Sequence, residues 1–328
     1  MNQVLPPSLL TNSVEKFLSK VQPGERVLVA CSGGADSLAL AWVVQFVAKK
    51  KEIFVSALIV DHQLSPESNE VAQAAKVKLA VLAISDTKII KVEVPNNSEG
   101  TEAAAREVRY EALKKYGHEI DAQMIFLGHT LEDQVETVLM RLTRGSGARS
   151  LQGMAEINGK FVRPFLHISR AIVRDALSII NLTAWEDPMN YSEKFLRSKV
   201  RNQLLPKLKE VLGESVFEAI DRTATALRVD NAALDLITQE VLALNSIETS
   251  CSVEILQAQP QAIRNRIIRV MMLNAGVPAA SLANAHIEAV NQLINNWHGQ
   301  GEVALPGKLW VSRSKNQIAI ESKNNREG

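Results

Sequence analysis

The stretch Val27-Leu-Val-Ala-Cys-Ser-Gly-Gly-Ala-Asp-Ser-Leu38 decides the fold. Val27 to Ala30 is an unbroken apolar run, the pattern of a strand buried on both faces. Ser32-Gly33-Gly34 and Asp36-Ser37 follow, and a helical pattern runs from Leu38 to Val47. The order is strand, glycine turn, helix. Backbone N–H groups in such a turn point outward together, and the helix N-terminus adds a partial positive charge. Two adjacent glycines admit a polyanion without Cβ clashes. A tight turn that binds nothing would explain Gly33-Gly34, but not the Ser, Asp and Ser crowded into the same turn. The loop is not a Walker A loop, which needs Gly-x4-Gly-Lys-Ser/Thr. No lysine stands here to hold a terminal phosphate.

The flanking chain alternates strands and helices. A short amphipathic helix over 8–20 leads into the first strand. Ile53 to Val60 is a second apolar strand, ending in Asp61-His62. Ser65-Pro66 offers an N-cap and a proline at the first helical position, with a helix to about Ala83. Lys88 to Val94 reads as a third strand, and Thr101 caps a helix to Tyr116 that Gly117 stops. Met124 to Leu127 is a fourth strand, followed by Gly128-His129 and a helix over about Leu131 to Leu142. This order predicts an α/β fold, a parallel sheet with helices on both faces. Ligands in such sheets lie at the carboxyl ends of the strands, where Ser32, Asp61 and His129 all fall.

Residues 146–212 read as irregular and basic, and from Lys194 to Lys209 there are six basic residues and no acidic ones. Gly213 is the expected boundary, giving a catalytic domain over 1–212 and a smaller, mainly helical domain over 213–328. In the latter the expectation is one long helix over Glu214 to Leu244, helices over 261–274 and 282–297, and a hairpin over Glu302 to Glu321 turning at Pro306-Gly307. Arg264, Arg266 and Arg269 give one helix a basic aspect.

The chain has 328 residues, 46% apolar and 22% charged, which suits a globular protein with two cores. A formal net charge of +1 means that any nucleic-acid binding must use local basic patches. Two distant cysteines, Cys31 and Cys251, argue against a disulfide framework and against a Cys-x-x-Cys site. The first 21 residues lack the pattern of a signal peptide and no apolar run is long enough to span a membrane, so the expected compartment is the cytoplasm.

Two further clusters carry chemistry. Arg106 and Arg109 share a helix face at i,i+3, where solvated pairing with Glu102 or Glu107 is the simpler reading. Asp133 and Glu136 are also i,i+3. Acid in a first helical turn accounts for Glu132, but not for three carboxylates beside a phosphate loop. A triphosphate normally arrives with Mg²⁺, which prefers carboxylate oxygens and water, so Asp36 and Asp133 are the candidate metal ligands.

Ser32 to Ser37, Ser-Gly-Gly-x-Asp-Ser, resembles the PP-loop signature of the N-type ATP pyrophosphatases. Asp61–Leu64, Glu102–Tyr110, Gly128–Thr137, Arg144–Gly147, Gly153-Met154, Arg163-Pro164, Trp185–Asn190 and Phe195–Pro206 extend the match. The ordered series resembles the tRNA(Ile)-lysidine synthetase family in its short form. The family usually has two aspartates before Gln134, and here the first is Glu132. The resemblance implies a Rossmann-like fold of the adenine nucleotide alpha hydrolase type. It also implies a two-step ligation: ATP adenylates the C2 oxygen of the wobble cytidine in an isoleucine tRNA with anticodon CAU, and the amine of free L-lysine then attacks C2 and expels AMP.

On that reading Ser32, Gly33, Gly34, Ala35, Asp36 and Ser37 hold the pyrophosphate, with Asp61, His62, Gly128 and His129 shaping the ATP pocket. Arg109 stabilises the adenylate, with Arg106 beside it. Asp133 and Glu136 bind lysine's ammonium and accept its proton. Arg201 and Arg197 contact the adenylate or tRNA, and Lys194 and Lys199 grip tRNA phosphates. Oligomeric state, including a homodimer, stays open. The rivals are another PP-loop tRNA-modifying enzyme, with thiolases disfavoured by the badly placed cysteines, and a non-catalytic ATP-binding RNA-binding protein.

Overall fold

The computed structural model describes residues 4–63, 65–95, 101–143, 145, 147–186 and 195–322; the side chains of 101–103 fall outside that set, as do Leu64, Arg144, Ser146 and 187–194. The chain divides into two compact units, 1–145 with 150–225, and 146–149 with 226–328.

The first unit begins with α1 (Ser8–Leu18), β1 (Arg26–Ala30), α2 (Ala35–Lys50), β2 (Phe54–Asp61), α3 (Ser68–Val81) and β3 (Thr87–Lys91). It continues through α4 (Thr101–Glu119), β4 (Ala122–Phe126), α5 (Leu131–Leu142), α6 (Ala148–Leu151), β5 (Ile157–Asn158) and β6 (Phe161–Val162). It closes with α7 (Arg170–Ile179), α8 (Leu196–Lys199), a π-helical turn over Val200–Leu204, α9 (Leu205–Leu212) and the start of α10 (Val216–Leu244). The sheet order is β3-β2-β1-β4-β6-β5. The first four strands and β6 pair in parallel, and β5 is antiparallel to β6. The expected parallel sheet is present. Its strands alternate: Val27, Val29, Ala57 and Ile59 pack under α1, α2, α3 and α7, while Leu28, Leu58 and Ile125 pack under α4. α2 is apolar nearly all round because it is buried from Leu38 to Ala48. β1 lies between β2 and β4, so the strand order reverses there, and the crevice at its carboxyl end belongs to the Ser32–Ser37 turn.

Three local expectations are corrected. α3 starts at Ser68 rather than at Pro66, which lies in a preceding turn closed by the Ser68 N–H on the Ser65 carbonyl. Gly117 does not stop α4; it is helical, and a Cβ there would lie 2.9 Å from Ile125 Cδ1, so its smallness lets α4 approach β4. The segment after Ser146 is not wholly irregular, since Ile157-Asn-Gly-Lys-Phe-Val162 forms a hairpin that extends the sheet, with Gly159 at φ +58°. The two compact units divide within α10, at 225.

The second unit adds β7 (Ser250–Ser252), α11 (Val253–Ala258), α12 (Gln261–Asn274), α13 (Asn284–Asn295), β8 (Val303–Leu305), β9 (Leu309–Ser314) and β10 (Gln317–Ser322). The expected hairpin is part of a four-stranded antiparallel sheet, β7-β10-β9-β8. Ile267, Met271, Val290, Val311 and Ile318 fill its core. Among the described residues no helix is long and apolar enough to cross a membrane.

Candidate active site

The glycine turn is built as its sequence demands. Gly33 has φ +83°, and a Cβ there would stand 3.0 Å from Ala75 Cβ. Gly34 is the N-cap of α2, so Ala35, Asp36 and Ser37 form the first turn. Ser37 Oγ donates to the Gly34 carbonyl at 2.9 Å and lies 3.3 Å from Ser32 Oγ, while the Ser32 N–H donates to Ser37 Oγ at 3.2 Å. The two serines therefore brace the turn from inside, taking the Ser32 and Gly34 N–H groups, and the first N–H groups of α2, from Ala35 to Ser37, are the ones that suit an anion. The Trp185 N–H donates to the Gly33 carbonyl at 3.0 Å, which lays the segment before 187 across the loop. A Cβ on Gly128 would meet Asp36 O at 3.1 Å and Ser37 Cα at 3.2 Å, so the end of β4 lies directly against the loop. Cys31 is buried beside Ser37, and burial pushes its thiol up.

α5 brings the acids. Thr130 caps it: Asp133 Oδ2 accepts from the Thr130 N–H at 2.9 Å and lies 3.1 Å from Thr130 Oγ1. That leaves Oδ1 for other partners, and three arginines take it: Arg170 Nη2 at 3.0 Å, Arg201 Nη2 at 3.0 Å and Arg197 Nη2 at 3.5 Å. Glu136, wholly buried, accepts from Arg201 Nε at 2.7 Å, Arg197 Nε at 2.8 Å and Arg201 Nη2 at 2.9 Å. Gln134 between them clamps the Met154 backbone through both amide atoms, and a Cβ on Gly153 would strike that amide at 2.6 Å. On the other side Leu131 and Val135 pack with Val200, Leu205 and Phe217. Arg201 lies in the π-helical turn next to Pro206, which has no N–H to continue α-helical bonding, and the Leu205 N–H reaches back to the Val200 carbonyl.

Arg170 joins α5 to the loop. Its Nε lies 3.3 Å from Asp36 Oδ2, and Arg174 Nε, one helical turn on, lies 3.7 Å from Asp36 Oδ1. Neither contact is a hydrogen bond: Arg170 Nε and Asp36 Oδ1 are both buried without a hydrogen-bond partner. Burial raises the Asp36 carboxyl against the pull of Arg170. Burial would also raise Asp133, but Arg170, Arg197, His129 and Arg201 outweigh it and hold that carboxyl well below the usual range. Arg201 is raised; burial opposes this, but Glu136 and Asp133 outweigh it.

A second, positive cluster gathers on Tyr110. Its hydroxyl accepts from Arg106 Nη2 and Arg163 Nη2, both at 3.1 Å, and the Arg106 and Arg109 guanidinium carbons lie 4.9 and 5.7 Å from its ring centroid. Glu107 is exposed and pairs with neither arginine among the described residues. Burial, with Arg109 beside each ring, lowers both His62 and His129, the latter to well below the ordinary imidazole value, so both rings are neutral near pH 7. Asp61 Oδ1 accepts from the Gln63 N–H at 2.9 Å, and its Oδ2 is buried without a partner.

Of the candidates named from sequence, Ser32 to Ser37 and Gly128 meet at the loop, and Asp133, Glu136, Arg197 and Arg201 meet on α5. Lys199 is exposed, and Lys194 lies outside the described residues. Sequence reading gave no role to Arg170 or Arg174, and none to Tyr110 or Arg163 beyond their place in the matching series. The i,i+4 spacing of Arg170 and Arg174 was the available signal. As a Mg²⁺ site, Asp36 fits, offering a buried oxygen without a hydrogen-bond partner. Asp133 has both oxygens committed. Among the described residues no three His, Cys, Asp or Glu side chains form a metal cage, so phosphate and water oxygens would have to complete the shell.

Comparison with known proteins adds the following. A family model described as a PP-loop domain matches residues 8–208, and one described as a TilS substrate binding domain matches 252–318. A protein of Thermobifida fusca named tRNA(Ile)-lysidine synthase is 41% identical over 97% of this chain and 98% of its own. One of Rhodococcus erythropolis with the same name is 40% identical over 96% of each. Among solved structures, the U34-tRNA thiolase NcsA from Methanococcus maripaludis with its [4Fe-4S] cluster aligns with TM-score 0.55 at 20% identity. That alignment covers 66% of this chain and 77% of that one, a likeness of fold.

Proposed function

Because this chain belongs to the tRNA(Ile)-lysidine synthase family, we propose that it uses ATP to join free L-lysine to C2 of the wobble cytidine of the CAU anticodon in tRNA(Ile). The product, lysidine, pairs with A instead of G, so the tRNA reads AUA and is charged with isoleucine. The observation that carries the reading is the Ser32–Ser37 glycine turn at the sheet's switch point, with Asp36 linked through Arg170 to the acids of α5.

In the first step the C2 oxygen of cytidine attacks the α-phosphorus of ATP. The bond to the bridging oxygen breaks and pyrophosphate leaves. In the second, lysine's amine attacks C2, the C2–O bond breaks and AMP departs with the oxygen. Positioning and charge neutralisation dominate both steps. The N–H groups of the Ser32–Ser37 turn hold the departing pyrophosphate. Mg²⁺ arriving with ATP would supply charge neutralisation at the phosphates, held by Asp36. Arg109, half-buried beside His62 and His129, faces the adenylate with neutral imidazoles as neighbours. The arginines around Asp133 hold it charged and make it a poor proton acceptor, so the proton that lysine's ammonium sheds before its amine attacks C2 passes to water. The part of Asp133 is to hold charge, with Arg201 and Arg197, around the incoming ammonium and the leaving AMP. The substrates place the work in the cytoplasm.

Asp36→Ala is expected to abolish tRNA-dependent ATP–pyrophosphate exchange with the fold intact by circular dichroism. Wild-type exchange in that variant would remove the loop from the reaction. Absence of exchange in the unaltered chain would favour a non-catalytic ATP-binding protein.

A further inference from the structure

Among the described residues Arg170 is the guanidinium recorded within 4 Å of all three acids: Asp36 at 3.3 Å, Asp133 at 3.0 Å and Glu136 at 3.8 Å. Its side chain is 13% exposed. Arg197 and Arg201 are bound to Glu136 by well-formed hydrogen bonds, but Arg170 meets Asp36 by charge alone, and Arg170 Nε and Asp36 Oδ1 both end without a hydrogen bond. The Nε edge facing Asp36 thus lacks a directional bond and can exchange one counter-charge for another, while Nη2 keeps its hydrogen bond to Asp133 Oδ1 at 3.0 Å. The backbone of Arg170 is by contrast fixed. Its N–H, at the first position of α7, donates to Glu132 Oε2 at 2.8 Å. A helix's first N–H groups have no partner within the helix, and a carboxylate there satisfies one and favours the helix dipole.

We propose that Arg170 stands in, in the nucleotide-free protein, for the divalent cation that comes with ATP. Its guanidinium bridges the loop carboxylate and the α5 acids, keeps them charged and close, and passes to the nucleotide's phosphates when the cation takes Asp36. Glu132 is the positioning residue: it anchors the root of Arg170 while the guanidinium edge that faces Asp36 changes partners. The carboxylate is one methylene longer than the aspartate usual in the family, and it reaches across to a second helix. The inference rests on the reading that a nucleotide with its cation occupies the loop, but not on the identity of the tRNA or of the amino acid.

The test needs neither. Thermal unfolding of the full chain is followed against Mg²⁺, and against Mn²⁺, with no ATP present. In the unaltered protein Arg170 competes for the acids, and millimolar cation is expected to leave Tm nearly unchanged. In Arg170→Met the competitor is gone, and cation affinity is expected to rise roughly tenfold or more, read as a Tm increase that saturates. No cation-dependent rise in that variant overturns the proposal. Should Arg170→Met fail to fold, Glu132→Ala and Glu132→Gln take its place. Gln keeps an oxygen to accept the Arg170 N–H and Ala does not. Glu132→Ala is expected to gain cation-only stabilisation and to lose kcat severalfold while tRNA KM holds, and Glu132→Gln to recover most of both. Equal behaviour of the two variants would overturn the positioning role. A cation gain in Arg170→Met alongside absent lysidine formation by the unaltered chain would sink the proposed function and leave this inference standing; lysidine formation by the unaltered chain without a cation gain in the variant would do the opposite.

Discussion

At the residue scale the site is governed by how few oxygens carry how much charge. Glu136 is wholly buried and receives both Arg197 and Arg201. Buried pairs gain little over a packed apolar core, yet removing one partner strands the other charge. Glu136→Ala is therefore expected to cost about 3–5 kcal/mol in denaturant unfolding; a loss below about 1 kcal/mol would mean that solvent already screens these arginines. His129 gives a pH dependence whose sign follows from its direction of shift. Its folded value lies well below the ordinary one because of burial, to which Arg109 and Arg163 add. The unfolded chain takes up a proton as pH falls through about 6.5 and the folded one does not. Stability should thus be full above that pH and decline below it. His129→Gln should remove up to about 1.4 kcal/mol per pH unit from that decline between pH 6 and 5; identical slopes would contradict the neutral-ring account. Asp36, Asp133 and Glu136 were legible as candidates because their types and spacings are unusual beside a phosphate loop, whereas Arg109 became one only through the family resemblance. The protonation roles were not legible. Which oxygen of Asp133 faces which arginine is decided by a capping box and by helices more than 35 residues away in sequence (Arg170, Arg197, Arg201), and no local pattern encodes that.

At the element scale, close backbone approach sets the geometry. Gly128 lets β4 reach the first turn of α2, and the atoms a Cβ would meet there are backbone atoms that cannot turn aside. Gly128→Ala should raise the ATP KM roughly tenfold to a hundredfold by displacing the loop, while changing the tRNA dissociation constant little. An unchanged ATP KM would show that the loop adjusts freely. The strands and helices up to Leu142 were readable since apolar runs, capping residues and glycine turns agree there at every level. Gly117 misled because a helix-stop signal and a close-packing glycine look alike in sequence, and only the strand beneath α4 distinguishes them. The β5–β6 hairpin was readable from Asn158-Gly159 but is so short that the basic surroundings dominated. β7, at three residues, has too little pattern to be seen before its partner β10 is known.

At the scale of the whole molecule, a net charge of +1 leaves tRNA binding to local patches, and the structure sorts the basic residues named for it. Arg197 and Arg201 are hydrogen-bonded to Glu136 in the acid cluster. Lys199, on the same stretch, is exposed. In the second unit Arg266 is bound to Asp235 and Asn231, and Arg264 to Asn291. Arg269 instead has Arg149 for a neighbour; burial, then that like charge, lowers it. Lys199→Gln and Arg269→Gln should each reduce the slope of log affinity against log salt by about 0.7, whereas Arg266→Gln should lower stability and leave that slope alone. An unchanged slope in the first two would show them to be solvated surface. The charge run 194–209 was visible in sequence, but a run does not say which of its members turn inward.

The most direct test of the central claim is incorporation of radiolabelled lysine into an unmodified CAU-anticodon isoleucine tRNA transcript, with ATP and Mg²⁺, and with arginine and ornithine as competitors. The account predicts label at the wobble cytidine that depends on both ATP and tRNA and is displaced by neither competitor. ATP- and tRNA-dependent pyrophosphate release without lysine incorporation would contradict it, keeping the adenylation chemistry and assigning the second step to another nucleophile.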